Sequence, residues 1–177
     1  TEQRDEYLRL SSALKRIEVP ENGDFDEEAA FNGLEPQMSF EEFKAMRENE
    51  QFILTVTSTG YGKRTSAYEY RITARGGQGV ANMEMSERNK AVVSSFPIED
   101  DNQIMMVTDG GKLIRMPVED IRIAGRKTQG VILFRTAEDE SVVSVTWLDA
   151  DDDDEDAELS EEVNEFDGVA AADESEE

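Results

Sequence analysis

The chain has 177 residues, of which 42 are acidic and 18 basic, and it contains no histidine and no cysteine. The missing cysteines exclude disulfides and thiolate metal sites, and the missing histidines exclude the commonest general base and zinc ligand. No apolar run approaches the roughly 18 residues of a membrane-spanning helix, so we expect a soluble, cytoplasmic protein with no membrane partner. Because the first residue is Thr1 and not methionine, we also expect a piece of something longer.

The net charge of −24 is unevenly distributed along the chain. Residues 1–50 carry a net charge of −8, residues 51–148 are neutral overall, and residues 149–177 carry −16. This distribution predicts an acidic helical segment at 1–50, a β-rich region at 51–148 and a disordered acidic tail at 149–177, since self-repulsion prevents the tail from packing.

The first part of the helical segment has the apolar spacing of one amphipathic helix. Proline disfavours the helical conformation in the residue before it, so Val19–Pro20 is expected to end this helix. The apolar face is formed by Tyr7, Leu10, Leu14 and Ile17.

Two capping boxes predict two further short helices. Asp24 with Glu27 begins one, and Ser39 with Glu42 begins the other. Such a small helical set buries too little apolar surface to fold alone, so we expect it to dock on the β-rich part. The alternative, an acidic linker with transient helices, stays open at this stage. The first of these helices runs through Phe31 to Asn32–Gly33, and the second places Phe40, Phe43 and Met46 on one face.

From Gln51 onward the chain is a repeat with an offset of 51 residues. Between Ile53 and Val80, 11 of 28 positions are identical to their counterparts without a gap, whereas chance would give about two. The repeat length is that of a β-propeller blade, roughly 40 to 50 residues. We therefore expect two blades, at 51–102 and 103–148.

Each blade is expected to contain four strands, with basic residues on an edge-like second strand. The predicted strand pairs are Phe52–Thr57 and Gln103–Thr108, Lys63–Ala67 and Lys112–Val118, Val80–Met85 and Val131–Thr136, and Ala91–Phe96 and Val142–Leu148.

A glycine-containing segment follows the second strand of each repeat, at Thr73–Val80 and Ala124–Val131. Residues without Cβ let the backbone approach an anion, and arginine offers a forked donor to phosphate. A turn before a strand would also favour glycine, so a purely structural interpretation stays open. Stacked repeats would align the two segments along one basic edge. The candidate DNA contacts are Lys63, Arg64, Arg71, Arg75, Gly76, Gly77 and Gly79 in the first repeat, and Lys112, Arg115, Arg122, Arg126 and Lys127 in the second.

No catalytic or metal-binding constellation is predicted, and no cofactor is expected for this chain. Glu119 and Asp120 are adjacent on a predicted strand, so they would point to opposite faces. The tail does not form a calcium loop, because Asp154 replaces the glycine and Ser160 the final glutamate.

Several strings in the repeats resemble the end of the A chain in the DNA gyrase family. They are Ile53–Thr57, Gly60–Thr65, Gln103–Asp109 and Gly125–Leu133, within about 100 residues from Gln51 to Leu148, and the acidic tail is similar to that family's C-terminus.

The resemblance implies a mainly β fold, a six-bladed β-pinwheel of four-stranded blades, of which the last two are present, preceded by a helical insertion. It also implies double-stranded DNA as the partner, wrapped without sequence preference in support of ATP-dependent negative supercoiling by a type II topoisomerase. The gyrase B protein would supply the ATP and Mg sites in an A2B2 enzyme.

The family's wrapping motif, Gln-Arg-Arg-Gly-Gly-Lys-Gly, belongs to the first blade and is expected outside this chain. Thr73–Gly79 matches it at four positions, and the later segment keeps two. The DNA-cleaving tyrosine lies in another domain, so the resemblance assigns that role to none of Tyr7, Tyr61, Tyr68 and Tyr70. The matching positions are Arg75, Gly76, Gly77 and Gly79 in the first repeat, and Arg126 and Gly130 in the second.

Two alternatives remain at this stage. The corresponding C-terminal domain of topoisomerase IV is the nearest relative of the family, and a propeller-type module for protein interaction would require an exposed apolar patch in place of a basic edge.

Overall fold

The computed structural model describes residues 2–17 and 25–149, and the predicted tail from 150 to 177 lies outside the described residues. Three helices precede two antiparallel sheets, which gives a mainly β fold. None of the helices in the described ranges is long and apolar enough to cross a membrane. The elements are α1 Glu2–Leu14, α2 Glu27–Asn32, α3 Phe40–Glu48, β1 Phe52–Thr57, β2 Tyr61–Ser66, β3 Val92–Ile98, β4 Gln103–Thr108, β5 Leu113–Pro117, β6 Val131–Ile132 and β7 Val142–Leu148.

Helix α1 buries Tyr7, Leu10 and Leu14, as the spacing predicts. Ile17 departs from the prediction, because it follows the end of the helix and is 36% exposed. The N–H groups of Arg16 and Ile17 donate to carbonyls three residues back. This tighter terminal turn ends the regular helical spacing before Ile17.

The capping box at Ser39 and Glu42 is confirmed at the start of α3. The predicted box at Asp24 is corrected, because the N-cap of α2 is Asp26, and Asp24 lies outside the described residues. The Asp26 carboxylate accepts the N–H of Ala29 at 2.9 Å. A cap satisfies a donor two or three positions into the helix, and the helix begins directly after Asp26.

The helical segment docks on the short 3₁₀ turn that follows β2. The ring of Tyr68 in this turn meets the ring of Tyr7 edge-on at 5.2 Å, and its hydroxyl donates to the carbonyl of Met46 at 3.0 Å. Arg4 donates to the carbonyl of Tyr70 at 3.0 Å. Since Tyr7 and Phe43 are fully buried, the described helices form a packed unit and not a linker with transient helices.

One strand joins a different sheet from the one predicted. The first sheet has the order β3-β1-β2-β6 and the second the order β5-β4-β7. Strand β6 belongs to the second repeat but pairs with β2 of the first, through Tyr61 with Ile132 and Gly62 with Val131. The first sheet is therefore completed by its neighbour, and the second sheet has three strands among the described residues.

The predicted third strand of the first repeat, Val80–Met85, is irregular in the structure. Its counterpart β6 pairs with a second strand from the preceding repeat. No such preceding strand exists among the described residues, and a strand requires an edge that accepts its hydrogen bonds.

The main core contains residues from both sheets. Leu54 and Val56 of the first sheet and Ile104 and Met106 of the second are fully buried in one cluster. The other face of the first sheet is polar but equally buried, since Thr55 is 0% exposed. This polar face positions the candidate site.

Candidate nucleic-acid interface

The first basic loop, residues 71–79, is exposed at every position. It presents Arg71 and Arg75 to solvent, together with the predicted glycines. Gly76 and Gly79 have φ values of +79° and +77°, and a Cβ on either would meet nothing within 4 Å. The backbone at these glycines is thus open to a ligand as large as a phosphate group.

The second basic loop, residues 122–130, is held against the first repeat. The N–H of Arg64 donates to the carbonyl of Arg122 at 3.1 Å, and the N–H of Ala124 donates to the carbonyl of Arg64 at 2.8 Å. Gly130 has a φ of +78°, like its counterpart Gly79, but a Cβ there would lie 2.8 Å from the carbonyl oxygen of Gly62. Equivalent loops therefore share a backbone conformation and differ in what covers them.

Contacts join the second basic loop to the segment that follows the first one. The Nη1 of Arg126 donates to the carbonyl of Ala81 at 2.5 Å. The N–H of Glu84 donates to the carbonyl of Thr128 at 3.1 Å. These bonds bring the two repeats' loops to the same side of the first sheet.

Five basic side chains on the two loops can meet a large anionic ligand, and we call them the interface cations. Four of them are exposed or half-exposed at the loop surface, and Arg126 is half-buried. Guanidinium groups suit phosphate because their donors form a rigid fork. The interface cations are Arg71, Arg75, Arg122, Arg126 and Lys127.

Lys63 does not reach this surface, contrary to the sequence-based expectation. It is 0% exposed, and its ammonium donates to the carbonyls of Gly125 and Arg126 at 2.8 Å each and of Thr128 at 3.3 Å. Burial lowers the pKa of Lys63 to about 8, while the nearby Glu69 carboxylate opposes the shift. Because β2 lies between β1 and β6 and is no edge strand, its polar face is covered.

Arg64 is likewise internal. Its side chain is 7% exposed and forms an ion pair with Asp100. The Nε donates to the carbonyl of Ile121 at 2.7 Å, and a terminal nitrogen donates to that of Glu119 at 3.2 Å. Arg64 therefore binds the turn between the second repeat's strands, and the structure leaves it no surface to offer DNA.

Lys112 and Arg115 belong to the second sheet and are engaged there. Lys112 donates to the buried Glu140 carboxylate at 2.6 Å, and Arg115 donates to Gln103 at 2.7 Å. The bonds from Lys112, Thr108 and the Ala137 N–H lower the pKa of Glu140 to about 2. Lys112 keeps half of its side chain exposed, but its charge is balanced in place.

Glu69 was not among the candidate residues, yet it contacts the second basic loop. Its carboxylate accepts the N–H of Arg126 at 2.6 Å. The repeat carried a signal for it, since Asp120 occupies the equivalent position 51 residues later. Asp120 and Glu119 lie in a 3₁₀ turn, Val118–Asp120, and not on a strand as predicted.

Acidic side chains collect elsewhere, in a cleft of about 740 Å³ between the end of α3 and the ends of β3 and β7. No lysine or arginine is among the described residues that line it. Within the described residues, no group of three or more acidic side chains is placed to hold a metal ion. Positive and negative surfaces are thus separate, which leaves the interface cations accessible to a polyanion.

Comparison with known proteins agrees with this architecture. The family model described as DNA gyrase C-terminal domain, beta-propeller, matches residues 51–98 and 102–146, more than half of the chain. The chain belongs to this gyrase family. The β-pinwheel predicted from the resemblance is confirmed, with the strand exchange noted above.

Relatives and solved structures extend this finding. The chain is 44% identical over 166 residues to the DNA gyrase A protein of Rickettsia bellii, which covers 93% of this chain and 18% of the relative. It is 52% identical over 106 residues to the DNA gyrase A protein of Salmonella typhimurium, 60% of this chain and 12% of the relative. The chain thus spans less than a fifth of the length of these relatives.

Two solved structures share the fold. A DNA gyrase A C-terminal domain has a TM-score of 0.52 at 24% identity, covering 57% of this chain and 34% of that chain. A topoisomerase IV C-terminal domain has a TM-score of 0.52 at 23% identity, covering 56% and 31%. At this identity they support the gyrase-family fold alone, and the gyrase A relatives do not favour the topoisomerase IV alternative.

Proposed function

We propose that this chain binds duplex DNA through the interface cations, as the terminal part of the DNA-wrapping domain of a gyrase A protein. The observation that carries the proposal is the exposure of Arg71, Arg75 and Lys127 on equivalent loops of two adjacent repeats, with Arg122 beside them. Permanently charged donors spaced by a repeat suit a phosphate backbone. Phosphate contacts position a duplex without reading its sequence.

In the complete enzyme, the proposal assigns this chain to a type II topoisomerase that uses ATP hydrolysis to supercoil DNA negatively. The gyrase B protein supplies the ATP and Mg sites in an A2B2 assembly located in the cytoplasm with the chromosome. The relatives are gyrase A proteins, which supports this assignment. The proposal gives no described residue a catalytic role.

Replacing Arg71, Arg75, Arg122 and Lys127 together by alanine is expected to weaken duplex binding by about a hundredfold at low salt. The slope of log affinity against log salt should fall by about 3 to 4, because each phosphate contact contributes roughly 0.9. Fluorescence titrations of labelled duplex with the full chain at several salt concentrations measure both quantities.

The control variant changes Lys15, Arg16 and Lys44, which are exposed on the helical segment, to alanine. Its slope should equal that of the unaltered chain. A salt-independent affinity of the unaltered chain, or an equal loss in the control, contradicts the proposal.

Deleting Asp149–Glu177 is expected to tighten duplex binding severalfold at low salt. This tail carries a net charge of −16, and a tethered polyanion competes with phosphate for the same cations. The matched control replaces its acids by asparagine and glutamine at unchanged length, and should bind as tightly as the deletion. Unchanged affinity in both variants argues against competition by the tail.

A further inference from the structure

The buried ammonium of Lys63 has all its nearest acceptors in the other repeat. Besides the carbonyls of Gly125, Arg126 and Thr128, the hydroxyl of Thr128 lies 3.4 Å away. A buried ammonium is tolerated only where several acceptors replace its water. Here the turn of the second basic loop wraps around the end of one side chain from β2.

The same loop is held from the first repeat at two further points. Glu69 accepts the N–H of Arg126 at 2.6 Å, and Ser86 donates to the side chain of Gln129 at 3.1 Å. Between these points the side chain of Lys127 remains exposed. The backbone of the loop is therefore fixed by its neighbour, while a cation at its tip faces solvent.

This arrangement is specific to the junction between the two repeats. The position equivalent to Lys63 in the second repeat is Ile114, which cannot donate a hydrogen bond. The first basic loop lacks such an anchor among the described residues and is exposed throughout. Lys63 is thus not a general feature of the repeat.

We propose that Lys63 is a positioning residue for DNA binding: its ammonium holds Gly125–Thr128 so that Arg126 and Lys127 are presented to phosphate, while Lys63 itself never touches DNA. This inference rests on the proposed function, because it assigns a purpose to the fixed loop. A loop ordered before binding loses less conformational freedom when the ligand arrives.

Lys63→Met retains the length of the side chain and removes the donor. It is expected to weaken duplex binding by about tenfold, since DNA must then order the loop itself. Lys44→Met, an exposed lysine on α3, is the matched control and should bind DNA within about twofold of the unaltered chain.

Limited trypsin digestion of the free chain separates local positioning from general destabilisation. In Lys63→Met, cleavage after Arg126 and Lys127 should accelerate, cleavage after the already exposed Arg75 should stay constant, and the buried Arg64 should remain resistant. Equal acceleration at Arg64 means global unfolding and contradicts a positioning role. Glu69→Ala, which removes the second anchor, should give the same selective pattern, and it provides the test if Lys63→Met does not fold.

A double-mutant cycle shows whether Lys63 acts through the loop. In a chain already carrying Arg126→Ala and Lys127→Ala, Lys63→Met should reduce affinity by less than about twofold. An additive tenfold loss in that background overturns the inference. If the unaltered chain does not bind duplex, the proposed function fails, whereas the trypsin pattern still tests the anchoring of the loop.

Discussion

Replacing Gly60 by alanine is expected to lower the free energy of unfolding by roughly 2 to 4 kcal/mol, which is a large part of the stability of a small domain. Gly60 has a φ of +76°, and a Cβ there would lie 2.2 Å from the carbonyl oxygen of Phe134. The positive φ costs about 1 kcal/mol and the forced separation about 1 to 3 kcal/mol more.

The clash lies at the junction of the repeats. The carbonyl of Gly60 accepts the N–H groups of Leu133 and Phe134 at 2.9 and 3.2 Å, directly after β6. Relief of the clash therefore requires movement of the segment that completes the first sheet. The loss should appear in urea unfolding of the full chain as a lower midpoint.

Gly111 provides a matched control within the same molecule. It is the repeat equivalent of Gly60, has a φ of +81°, and a Cβ there would meet nothing within 4 Å. In both turns the glycine N–H donates at 3.1 Å to a threonine carbonyl three residues back. Gly111→Ala should thus cost only about 1 kcal/mol. Equal losses at the two positions would show that the contact between repeats does not limit the space at Gly60.

Replacing Arg64 by alanine is expected to lower the free energy of unfolding by about 3 kcal/mol, because two buried carbonyls lose a charged donor and a packed side chain is removed. The guanidinium binds the carbonyls of Ile121 and Glu119 and lies 5.8 Å from the ring centre of Phe52. Asp100 is 69% exposed, so water can replace its partner at little cost.

Arg71→Ala is the paired measurement for Arg64→Ala. Arg71 is exposed on the first basic loop, so its removal should change stability by less than about 0.5 kcal/mol. It should reduce the salt slope of duplex binding by about 0.9, whereas Arg64→Ala should leave that slope unchanged. If Arg64→Ala unfolds like the unaltered chain but lowers the slope, Arg64 contacts DNA as its sequence position first indicated.

The contrast between these arginines shows what repeat analysis can predict. Identity at an offset of 51 residues correctly located β1, β4 and β7 and the shared glycine at Gly79 and Gly130. These features are local, since strand alternation and a positive φ depend on neighbouring residues in the chain. The capping box at Ser39 was predictable for the same reason.

Pairing between repeats was not predictable from the same pattern. The residues of β6 have the pattern of a strand in their own blade, but they bond to β2 of the first. Alternation indicates that a segment can form a strand and does not indicate which edge will accept its hydrogen bonds.

The sequence by itself determined a two-fold β repeat, an acidic helical segment and two glycine loops bearing arginine, because these depend on composition and short-range spacing. The tertiary structure alone decided which cations face solvent. Lys63 and Arg75 carry the same charge in one repeat, yet the second basic loop covers Lys63 and leaves Arg75 exposed. Burial of a charge depends on the chain that packs over it, and here that chain lies about 60 residues away in sequence.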